Sequence, residues 1–133
     1  MAVRHRRRVP LGRRCRLGGS NYLQSSGSCE DPLSGTVVAN PTLNVRSATG
    51  AGNVGTGPVI ATIPYGSTVR IGCTSTGPTE SGPPSWPATN VWDALFGYTD
   101  SGGTWHAFSG WAFVSDAWID SGADSSSLVI SCF

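Results

Sequence analysis

From residue 36 onward, glycine and proline interrupt the chain so often that only short extended segments fit between them. A crossover between parallel strands takes a dozen or more residues, usually helical, and no interval carries a helical pattern of that length. The intervals alternate with period two instead. In TLNVRS, Leu43 and Val45 point one way and Asn44 and Arg46 the other, as in a strand with one buried face. TVRIGC repeats this with Val69, Ile71 and Cys73, and VWDALFGY sets Val91, Asp93, Leu95 and Gly97 against Trp92, Ala94, Phe96 and Tyr98. PVIATIP (58–64), TWHAF (104–108) and WAFV (111–114) are further short strands, and Ser115 is placed to cap a single helical turn.

Five or six such strands, joined by the Gly-rich loop 48–57 and the Pro/Gly loop 76–90, predict an all-β antiparallel domain, a small barrel or sandwich. The expected core is Val37, Leu43, Val45, Val59, Ile60, Ile63, Val69, Ile71, Val91, Leu95, Trp111, Phe113 and Val114. Truncating Trp111 to alanine is expected to cost about 3–5 kcal/mol, the range for large-to-small core changes. Asp93 is expected to face solvent.

Charge divides the chain in two. Seven of the nine arginines lie in the first sixteen residues, and the remainder carries two arginines, Arg46 and Arg70, against eight carboxylates. Residues 1–35 read as a disordered, basic and Gly/Ser-rich segment, with few apolar residues to bury, and 36–133 as the folded domain. The arginines have no interleaved aromatics of the kind that stack on single-stranded nucleic acid, so a nucleic-acid partner is not expected. There is no lysine, which removes Schiff-base chemistry. No apolar run reaches the ~20 residues that span a bilayer. Neither metal nor cofactor is expected: no Cys-x-x-Cys occurs, and His5 and His106 stand far apart.

Four pieces occur in an order similar to that of bacterial SH3 (SH3b) domains: LNVRSATGAG (43–52), PVIATIPYGSTVRIGC (58–73), NVWDAL (90–95) and GWAFVSDAWI (110–119). A closer resemblance is to small secreted actinobacterial SH3 domain-containing proteins, with a cysteine ending the third strand and another at the end of the chain. Cys73 and Cys132 stand in those places. The resemblance implies an SH3-like barrel, a secreted or cell-wall-associated protein and a Cys73–Cys132 disulfide. Cys73 on an apolar strand face and Cys132 after an apolar LVI suit that pairing, leaving Cys15 and Cys29 free or weakly paired. Two features depart from the pattern. FGYTDSGGTWHAFSG is longer than the usual link before the closing Gly-Trp. The first residues supply a charged region without the apolar stretch of a signal peptide, so a misplaced or truncated start is expected.

Catalysis is not expected. His106 is the body's one histidine and lies in a Gly-rich stretch, Asp116 and Asp120 suit capping and solvation, and no Gly-x-Ser-x-Gly elbow occurs. The chain reads instead as a monomeric binding module. Trp86, Tyr98, Trp105 and His106 are the aromatics least needed by strand alternation, and with Asp100 these form the expected ligand-binding set, framed by loops 47–57, 76–89 and 98–109. A loop indole is either folded back over a barrel end or held out as a platform. By resemblance, the ligand is cell-wall peptidoglycan, through peptide or glycan. A structural or interaction module with a protein partner is the alternative.

Overall fold

A computed structural model describes residues 33–121 and 130–133, with the strand backbone at 14–17, 20–25 and 28–29. The early strands β1 (Arg14–Leu17), β2 (Ser20–Ser25) and β3 (Ser28–Cys29) pair antiparallel in that order. Most of the segment expected to be disordered, and the side chains of Cys15 and Cys29, lie outside the described residues.

The body is one antiparallel sheet of eight strands: β4 (Leu33–Val37), β5 (Thr42–Arg46), β6 (Val59–Pro64), β7 (Thr68–Glu80), β8 (Thr89–Thr99), β9 (Trp105–Ala107), β10 (Phe113–Ser115) and β11 (Ile119–Asp120). The spatial order is β11-β4-β7-β8-β10-β5-β6, with β9 added to β8. β11 and β6 end the path and do not pair, so the sheet is open. Pro64 is tolerated because β6 is an edge strand, where a missing N–H costs no ladder bond. Leu33 on β4 pairs with Ile71, three residues before the alternation seen in sequence.

The sheet curls at a corner. Val37 N–H donates to the Ser67 carbonyl, Gly66 N–H to that of Val37 and Tyr65 N–H to that of Pro41, at 2.9, 3.0 and 2.9 Å. Gly66, at φ 84°, takes the left-handed turn conformation that glycine allows without strain. The corner brings both ends of the sheet over one core, in which Val37, Leu43, Val45, Ile63, Val69, Ile71, Leu95, Val114 and Ile119 pack together.

β8 is buried on both faces over Val91–Leu95. Its outer face builds a second cluster from Trp92, Ala94, Phe113 and Val54, with Ala48, Cys73 and Cys132 against it. Trp92 is 3% exposed, and its indole N–H donates to the Pro78 carbonyl at 2.9 Å. The ring leaves no room for a side chain at Gly55 or Gly77. The Cys73–Cys132 disulfide forms as expected. It fastens Ile130–Phe133 along β7, where Thr74 N–H donates to the Ile130 carbonyl and Cys132 N–H to that of Thr74, at 3.0 and 2.8 Å. Ser115 caps the 3-10 turn Asp116–Trp118, its hydroxyl accepting from Ala117 N–H at 3.2 Å.

Four expectations are corrected. Trp111 is 37% exposed and lies outside both cores, stacked on Phe113 at a centroid distance of 5.6 Å and tilted against Phe133 at 5.0 Å. The inward tryptophan is Trp92. Val59 and Ile60 are exposed, because a bulge opposite Val45/Arg46 breaks the alternation of the β6 edge. Asp93 is fully buried, since β8 is a central strand and has no solvent face at that point.

Candidate functional site

The structure divides the five expected ligand-binding residues among three places. β8 and β9 form a hairpin with Tyr98 opposite His106 and Thr99 opposite Trp105. The β7–β8 register skips Phe96 on β8 and Gly72 on β7, and this pair of bulges shifts the alternation. Tyr98 therefore shares the core face with Leu95, although the two lie three residues apart.

On that face the Tyr98 and His106 rings stack at 4.6 Å, with Phe108 5.9 Å from Tyr98. His106 Nε2 lies 2.8 Å from Asp100 Oδ2. Asp100 Oδ1 accepts N–H bonds from Gly102 and Thr104, both at 3.0 Å, an Asx-type closure of the DSGG turn. The hydrogen bond with His106, and then those from Thr104 and Gly102, hold the Asp100 carboxyl below its ordinary value. Both members of the pair lie on the exposed hairpin tip. Trp105 is on the opposite face, 44% exposed. Its ring covers Gly97, and the Arg70 guanidinium lies 6.0 Å from its centroid, within cation–π range.

Trp86 joins neither group. Its loop connects the far ends of β7 and β8, where Glu80 pairs with Thr89, whereas the hairpin tip lies beyond the Thr68–Thr99 pair. The thirteen-residue β7 spans up to ~40 Å at about 3.3 Å per residue.

That far end borders a concave site. β5 and β10 share one pair, Arg46 with Phe113, and then part, opening a groove of about 390 Å³. Asn40, Thr42, Asn44 and Arg46 line one wall at every second position, Ser115 and Trp118 the other, with Trp92 and Glu80 between. Among the described residues, the side chains of Asn40, Thr42 and Asn44 have no intramolecular hydrogen-bond partner. Arg46 spends one N–H on the Gly57 carbonyl at 3.0 Å, which fixes a guanidinium with five donors. The loop carrying Trp86 packs on the 3-10 turn, where Gly82 meets the Ala117 carbonyl too closely for a Cβ. Of the three loops expected to frame the site, 76–89 contributes Glu80 to the groove, whereas 47–57 and 98–109 are not among its lining residues, and polar residues of β5 make up its wall. In sequence, Asn44 and Arg46 read only as the wet side of a strand; the signal was their alternation, which does not separate solvent from groove.

Among the described residues no three His, Cys, Asp or Glu side chains gather as a metal site, and no helix is long and apolar enough to cross a membrane. Comparison of the chain with family models, curated proteins and solved structures returns no match.

Proposed function

We propose that the chain is a secreted, non-catalytic binding module of the SH3b kind, which takes cell-wall peptidoglycan in the groove between β5 and β10. The groove is the observation that carries this reading. It offers unpaired amide and hydroxyl groups for hydrogen bonding, a guanidinium and a carboxylate of opposite sign, and the indole of Trp118. Wall peptides carry both amines and carboxylates, which suit Glu80 and Arg46. Concave sites with a few convergent polar groups are the usual form of ligand sites. The disulfide supports an oxidising compartment, and the order of the SH3b-like pieces supports the wall as target, as an analogy of fold.

A second reading, a protein partner, is favoured by Trp105 with Arg70 on the opposite end of the sheet, since Trp and Arg dominate protein interfaces. Sedimentation with insoluble peptidoglycan separates the two. The protein should be retained, and Thr42→Ala/Asn44→Ala, both at exposed positions, should release it, while Trp105→Ala should not. Retention lost on Trp105→Ala alone would move binding to the hairpin end; no retention at all would favour the protein partner.

A further inference from the structure

A second cavity lies away from the groove, on the outer face of β7 and β8 beside the disulfide. Its volume is about 330 Å³. The floor is Gly72 and Ala94, the sides are Phe96 and Trp111, and the remaining wall is the strap Ile130–Cys132. Gly110, with φ 75°, has nothing within 4 Å of where a Cβ would stand, whereas the Phe96 ring lies against Gly72. Trp111 does not fill it, because its ring is held by Phe113 and Phe133.

Among the described residues no charged side chain lines the cavity, so an ion entering it would find no countercharge there. The walls offer two aromatic rings, the disulfide and aliphatic carbons, together with polar groups of the backbone and Ser131. Sulfur and ring edges both pack favourably on aromatic rings. An apolar cavity of about 150 Å³ holds a benzene ring, so this one accommodates a ring system of two fused or linked rings.

We propose that this cavity is a binding site for a neutral aromatic group, with Trp111 as its stacking wall and the disulfide-fastened strap as its other side. The Cys73–Cys132 disulfide ties the strap to β7, beside the two backbone hydrogen bonds with Thr74. Reduction by a dithiol removes the disulfide, leaving two thiols and an oxidised dithiol, and loosens the wall. Ligand binding and disulfide integrity are therefore linked, since a ligand that binds only the strapped form stabilises it.

The test uses the full oxidised chain and the neutral fluorescent probe N-phenyl-1-naphthylamine, with amide chemical shifts recorded along the titration. The expected result is saturable one-to-one binding, with shifts at Gly72, Gly110, Ala112 and Ser131. Trp111→Ala should weaken binding at least tenfold, Trp105→Ala should leave it unchanged, and Cys73→Ser/Cys132→Ser should abolish it. Should that double variant fail to fold, the wild-type shift map decides. Absence of saturable binding, shifts confined to other residues, or unchanged affinity in Trp111→Ala would overturn the proposal.

Discussion

Replacing Trp92 by alanine removes the centre of the outer cluster. The indole is 3% exposed and lies among Val54, Ala94 and Phe113, with the disulfide on its flank. An aromatic side chain of this size buries roughly 200 Å², and at about 25 cal/mol per Å² its transfer is worth about 5 kcal/mol. Truncation of buried Phe or Trp to Ala costs about 3–5 kcal/mol. The Pro78 carbonyl loses its indole donor, but Pro78 is exposed, so water replaces the partner and this adds only about 0.5–1.5 kcal/mol. The expected loss is about 4–6 kcal/mol, most of the stability of an ordinary domain. Urea unfolding followed by far-UV circular dichroism measures it, with the m-value checked for constancy. A loss below about 1.5 kcal/mol at unchanged m would show that the cluster is not a core.

Trp111→Ala should cost only about 1–2 kcal/mol, since its ring is partly in water and packs on just two others; a loss equal to that of Trp92→Ala would reverse the assignment of the inward tryptophan. The depressed Asp100 carboxyl stabilises the hairpin tip fully above its unfolded value of about 3.9, and that contribution disappears as pH falls through the lower folded value. The amide shifts of Gly102 and Thr104 should therefore titrate below 3.9, and a midpoint at or above that value would contradict the hydrogen-bonded tip. Deleting residues 1–35 removes Leu33, Ser34 and Gly35 from β4, with their pairs on Ile71, Arg70 and Val69. The melting temperature should fall by about 5 °C or more, and an unchanged midpoint would return the domain boundary to residue 36.

Period-two alternation made β5, β7 and much of β8 legible, because each of these strands turns one face to an apolar layer. The Ser-Asp pair that opens SDAWI identified the capped turn at Ser115. Alternation did not identify which face of β8 carries the large ring, nor the burial of Asp93, because it assigns sides but does not tell how many sides are covered. The covering comes from loop 51–57 and from the strap at Cys132, distant in sequence from β8. The bulges at Gly72 and Phe96 were likewise invisible, and they decide that Tyr98 and His106 share one face while Trp105 takes the other. Loop position groups Trp86 with the hairpin aromatics, whereas the length of β7 separates it from them. The groove depends on β5 and β10 parting after one pair, a feature of pairing that no local pattern encodes.

Titration of the labelled protein with soluble peptidoglycan fragments, read by amide and indole chemical shifts, tests the binding proposal most directly. Saturable shifts at Asn40, Thr42, Asn44, Ser115 and the Trp118 indole, with the hairpin residues Trp105 and His106 unmoved, are the predicted result. Shifts confined to Tyr98, Asp100, Trp105 and His106, or no shifts at millimolar fragment, would contradict it.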